Sequence, residues 1–211
     1  LVCVLKQGRK YDMIILLIVR NTLGKRRQNI MGMKEAFDYF FGKYRIPKIP
    51  YMEGIVSKEL ILLDTLSKNG YASWVPRLQE EKISFEKIEE ELGFKIHPQI
   101  KEFLNTYWFR TLEAKMEVCG KKISFTLMQL IPGTCFDELI RTRFNRSEAH
   151  YLTDHNYFLI GTFCRVDKLD SYLVQVNNET CEVTAVHVGD RRSIKLADSI
   201  EELLMTMKGI L

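Results

Sequence analysis

The chain has 211 residues, 46% of them hydrophobic and 11% aromatic, which is enough for one sizeable core and too few for two ordinary domains. Charged residues make up 27%, as in an ordinary globular protein, and no Pro-, Gly- or Ser-rich tract marks a linker, so a low-complexity or disordered chain is excluded. The formal charge of +4 is confined to one end: residues 1–30 carry seven basic residues against Asp12 alone, leaving residues 31–211 at −2 without the broad basic stripe of a nucleic-acid binder.

The run MIILLIV, Met13 to Val19, is the one long aliphatic stretch. It is too short for a membrane span and is followed by NTLGKRRQ rather than a small-residue cleavage site. If Lys25, Arg26 and Arg27 are encoded AAA-AGG-AGG, the message there reads as a ribosome-binding site placed just before Met31. The expectation is therefore a translated leader or disordered extension over residues 1–30 and a native domain over 31–211, starting at Met31 or Met33. The alternative is a genuine N-terminal strand or anchor.

From Met31 the chain opens with MKEAFDYFFGKYR, whose Ala36, Phe37, Phe40, Phe41 and Tyr44 recur at helical spacing and predict an amphipathic helix. Pro47 and Pro50 then block helix, and residues up to about Lys68 read as irregular or short elements. YASWVPRL, from Tyr71, predicts a short strand edged by Pro76. SFEKIEEELGF predicts a helix capped by Ser84, with Ile88 and Leu92 inward and Gly93 at its end; a second helix follows at His97–Pro98, burying Ile100, Phe103, Leu104 and Tyr107.

At Thr111 the period changes to two, and TLEAKMEVCGKKISFTLMQLI predicts a β-hairpin turning at Gly120–Lys121. Residues 134–151 read as helical. YFLIGTFC, SYLVQV and TCEVTAVHV then read as strands joined by Asp- and Asn-rich turns, and SIEELLMTMKGIL as a last helix capped at Asp198 or Ser199. Strands joined by short turns pair antiparallel, so the fold class is α+β: a single domain with a mainly antiparallel sheet of about five to six strands and helices packed mostly on one face. Nothing in the pattern fixes an oligomeric state.

The sequence offers no catalytic constellation. The histidines, His97, His150, His155 and His187, lack metal-ligand spacing, and no Gly-rich phosphate cradle or nucleophile elbow is present. The five cysteines include no C-x-x-C pair and read as ordinary thiols of a reducing compartment. Asp137/Glu138 and Glu201/Glu202 read as first-turn helix charges rather than an acid–base pair, and Arg191, Arg192 and Lys195 as a solvated hairpin rather than a phosphate site. The strongest surface feature is the acidic cluster Glu80, Glu81, Glu86, Glu89, Glu90 and Glu91, either a solvated helix face or a docking surface for a basic partner.

The order and spacing of KEAFDYFFGKY, YASWVPRL with its Trp-x-Pro, FEKIEEELGFKIHPQIKEFLNTYWF, GKKISFTLMQLI and the run from Asn177 to Leu211 resembles the Syd family of the SUKH superfamily. The resemblance covers about Met33 to Leu211. It implies a non-enzymatic binding protein without cofactor or metal, located in the cytoplasm and peripherally on the cytoplasmic side of the bacterial cell membrane. Such a protein docks on the cytosolic loops of SecY, monitors or negatively regulates unassembled translocase, binds no nucleic acid and meets the membrane only through its protein partner. The implied acidic groove is assigned Glu86, Glu89, Glu90, Asp137 and Glu138, with Trp74 as a wall. The alternative within the superfamily is an immunity protein that neutralises a bacterial toxin, a nuclease or deaminase.

Overall fold

The computed structural model describes residues 32–52, 58–118, 120–144, 156–165 and 171–209, with backbone alone at Lys121 and 163–165. All belong to one compact unit, Gly32–Leu211. Its first element, α1 (Met33–Phe41), puts Met33, Ala36, Phe37 and Phe40 on one buried stripe and ends at Gly42. Phe37 reaches the centre of the core, its ring 5.7 Å from Phe103 and 5.5 Å from Phe109.

The proline-broken stretch that follows forms a small antiparallel sheet of β1 (Ile49–Pro50), β2 (Ile61–Leu62) and β3 (Tyr71–Trp74), in the order β1-β3-β2. Alternation along β3 buries Ala72 and Trp74 and leaves Tyr71 outside. A two-stranded ribbon of β4 (Arg77–Leu78) and β5 (Tyr107–Trp108) brackets two short helices, α2 (Glu86–Leu92) and α3 (Pro98–Leu104). Gly93 ends α2 at φ +77°, a left-handed conformation that suits glycine. His97 caps α3, its Nδ1 accepting from the Gln99 amide at 3.1 Å, and Pro98 takes the first helical position as expected. Ser84 does not cap α2. The N-cap is Phe85, and the Ser84 hydroxyl instead donates to the Glu86 carboxylate at 2.6 Å.

The main sheet is antiparallel with seven strands, in the order β11-β10-β9-β8-β7-β6-β12. These are β6 (Leu112–Val118), β7 (Lys121–Leu127), β8 (Tyr157–Arg165), β9 (Ser171–Asn177), β10 (Val183–His187), β11 (Ser193–Ala197) and β12 (Lys208–Gly209). The α+β class follows the sequence pattern. Two strands are not among those read from the sequence: β11 closes a hairpin after Gly189, and β12 takes Lys208–Gly209, read as part of the last helix, which instead ends at Thr206 and lets the chain pair with Ala114 and Lys115 on β6. Leu112, Ala114 and Met116 point inward on β6 while Glu113, Lys115 and Glu117 face water. The register carries that inner face through Ile123, Phe125 and Leu127 to Phe158, Val174, Val176, Val183 and Ala185, which join the helix side chains in one core. A bulge at Leu159–Gly161 disturbs the ladder, and there the Gly161 backbone lies so close to the Thr126 carbonyl that any Cβ would collide with it.

Helix α4 (Phe136–Arg143) follows the hairpin, and the remainder of the segment read as helical, 145–151, lies outside the described residues, as do residues 1–31. Helix α5 (Ile200–Thr206) is capped by Ser199, whose hydroxyl accepts from the Glu202 amide at 3.1 Å, while the Glu202 carboxylate accepts from the Asp198 amide. The α2–α3 loop is tied to the β9–β10 turn by Asn178, which accepts from the His97 amide and donates to the Lys95 carbonyl, both at 2.8 Å.

Candidate functional site

Helices α2 and α4 lie side by side and carry five of the six residues assigned to the groove. Lys87 and Glu91, one turn apart on α2, face Asp137 and Arg141, one turn apart on α4. Lys87 Nζ is 3.7 Å from the Asp137 carboxylate and Arg141 Nε donates to Glu91 at 3.0 Å. This ladder of exposed ion pairs fixes the two helices in register and contributes little to stability.

Beyond the ladder, Glu86 and Glu90 are exposed and four residues apart, hence on one side of α2. Glu80 and Glu81 are exposed in the turn leading into the helix, and Glu138 is exposed on α4. Between Glu80 and Lys95 there are six carboxylates and three lysines, so the stretch is acidic even after its internal pairs are formed. Asp137 and Glu138 are both in the first turn of α4, and the described part of that helix ends in Arg141 and Arg143, an order that suits the helix dipole.

Glu89 is not part of this surface. It stands four residues after Phe85 and three before Leu92, on the apolar stripe of α2, and its side chain is 3% exposed. One carboxylate oxygen accepts from the Ile96 amide at 2.9 Å and pairs with Lys101, and the other accepts from Lys95 at 2.9 Å. Burial pushes the Glu89 carboxyl upward, and Lys101, the Ile96 amide and Lys95 together outweigh it, holding the group down to about 2. The side chain is thus an internal tie between α2, the following loop and α3, and has no face left for a partner.

Trp74 is likewise inside, 1% exposed among the core residues, with no hydrogen-bond partner for its indole N–H among the described residues, so it cannot serve as a groove wall. Trp108 is half-buried and packs on Phe136 at the start of α4, ring centroids 5.5 Å apart.

The remaining polar clusters are internally matched. Arg192 and His187 converge on Asp190, and Lys195 lies within 2.6 Å of both Glu182 and Asp198. Cys181 holds φ +61° and its Sγ is 2.7 Å from His97 Nδ1. Burial pushes the Cys181 thiol up to about 12, far from a nucleophile's range. Among the described residues no group of three His, Cys, Asp or Glu side chains is arranged to hold a metal ion, and no helix is long and apolar enough to cross a membrane.

Comparison with known proteins gives a consistent result. A family model described as Syd protein (SUKH-2) matches residues 38–209. A protein called Protein Syd from Alteromonas mediterranea is 24% identical over 151 residues, a match covering 67% of this chain and 74% of that protein. Another of the same name, from Colwellia psychrerythraea, is 27% identical over 127 residues, which is 60% of each chain.

Proposed function

The chain belongs to the Syd family, and from that premise we infer that it is a non-enzymatic protein that docks on the cytosolic face of the SecY translocon subunit and monitors or restrains unassembled translocase. The observation that carries this reading is the acidic face of α2 and its approach: Glu80, Glu81, Glu86 and Glu90 are exposed, with Glu138 on the adjacent helix. Cytosolic loops of membrane proteins are rich in Lys and Arg, so their charge is complementary to such a face. Complementary fields of this kind steer encounter and set orientation more than they add affinity.

The proposed contact set is therefore Glu86, Glu90, Asp137 and Glu138 from the sequence reading, with Glu80 and Glu81 added. Glu89 ties α2 to the following loop and α3 from beneath, and Trp74, a buried core residue, is left out of the contact set. The cytoplasm is the proposed compartment, with the membrane reached through the partner.

The test is capture of SecY from a detergent extract of bacterial membranes by the immobilised full chain, at low and raised salt. Salt-sensitive retention of SecY is expected. Absence of SecY from a column of folded protein, with retention of a neighbouring gene's toxin instead, would transfer the acidic face to the immunity role.

A further inference from the structure

A cleft of about 350 Å³ opens between α4 and the sheet, at the small end of the range for ligand pockets. Its walls are mostly apolar, with Met128 from the extension of β7, Leu159 from β8 and Leu139 from α4, while Cys135 and Glu138 stand on the exposed rim. The exception in the wall is Arg143. It is 6% exposed, and among the described residues its guanidinium makes one hydrogen bond, from Nη2 to the Gln129 carbonyl at 3.1 Å, while Nη1 is buried without a partner there. The Phe158 ring centroid lies 5.7 Å from its Cζ.

Burial lowers the Arg143 pKa to about 10, so the group remains a cation at neutral pH. Its helical neighbour Arg141 has Glu91; Arg143 has no carboxylate among the described residues. A buried cation with unspent donors and no counter-charge is costly, and a ligand that supplies the charge relieves that cost.

We propose that this cleft binds a carboxylate carried on a short apolar body, the apolar part lying on Met128, Leu139 and Leu159 and the carboxylate meeting the Arg143 guanidinium. Planar bidentate recognition of carboxylate is the contact for which arginine is best shaped. The same chemistry comes from two sources, the C-terminal residue of a peptide or a medium-chain fatty acid. The cleft shares only its rim residue Glu138 with the acidic face proposed for docking, while Met128, Leu139, Leu159 and Arg143 lie outside that contact set, so the two assignments are tested by different residues.

The experiment is an NMR titration of the full chain, following the methyl signals of Met128, Leu139 and Leu159 with N-acetylleucine and with octanoate as probes, and with N-acetylleucinamide and octanol as their neutral counterparts. At least one carboxylate is expected to shift these methyls saturably at up to millimolar concentration and to bind about tenfold or more tightly than its neutral counterpart. N-acetylleucine as the tighter probe assigns a peptide terminus, and octanoate a fatty acid. Arg143→Gln should remove the preference for the carboxylate, and Leu159→Trp, which fills the cleft and leaves the charge, should remove binding of both kinds. Equal binding of acid and neutral probes, or no methyl shift in the native protein, would overturn the assignment, and neither result depends on the variants folding.

Discussion

Replacement of Glu89 by Gln isolates one buried charge with little change in shape. Glutamine can still accept from the Ile96 amide, but it offers no charge to Lys95 or Lys101. An ordinary glutamate titrates at 4.5 and this one at about 2, a gap corresponding to about 3 kcal/mol of stability at neutral pH. Because the folded value is the lower one, the contribution is fully present above 4.5 and is lost as pH falls through about 2. Lys95 is 80% exposed and turns to solvent at little cost, whereas Lys101, 31% exposed, stays near the Phe85 ring. Glu89→Gln should therefore cost about 2–3 kcal/mol at pH 7, at the low end for breaking a buried pair. Urea unfolding of both proteins across the acid range measures it, and the difference should shrink to about 0.5 kcal/mol near pH 2. A variant as stable as the parent at pH 7, or a difference constant from neutral to acid pH, would refute the assignment of Glu89 as an internal ion-pair centre.

Reversing the charge of Glu86 and Glu90 to Lys should leave the unfolding midpoint unchanged, because both are exposed, and should weaken SecY capture most at low salt, as a salt-resolved binding assay will show. Asn178→Ala removes two hydrogen bonds that tie the β9–β10 turn to the α2–α3 loop and should cost about 1–3 kcal/mol in urea unfolding, with faster amide exchange at His97. Gly161→Ala forces a Cβ against the Thr126 carbonyl at the β8 bulge and should cost about 1–3 kcal/mol or more by thermal unfolding.

Much of the fold was legible because local rules and burial agree. The first helix shows its stripe in Ala36, Phe37 and Phe40, Gly93 and Pro98 punctuate α2 and α3, and the alternation of Leu112, Ala114 and Met116 sets the face of β6. What escaped depends on distant partners. Strand β12 is two residues long and exists through its pairing with Lys115 and Ala114, far away in sequence. Strand β11 was hidden in a segment read as a charged hairpin, since its Lys195 is drawn out to Glu182 and Asp198. For Glu89 a signal was present: a carboxylate at i+4 from Phe85 and i−3 from Leu92 shares the helix's apolar face, and burial there requires nearby cations, which Lys95 and Lys101 provide. Trp74 carried a similar signal, two residues from Ala72 on one face of a short strand. The cleft beside α4 carried none, because it joins Met128, Leu159 and Arg143 from three separate elements.

The central claim is that an acidic helix face of this chain meets the basic cytosolic surface of SecY. The most direct test is a titration of purified SecY, reconstituted in nanodiscs, with the full chain at low and raised salt, beside the Glu86→Lys, Glu90→Lys double variant. Saturable binding that weakens steeply with salt and is lost or strongly reduced in the folded variant is the predicted result. Failure of the folded chain to bind at any salt, or binding insensitive to both salt and charge reversal, would contradict it.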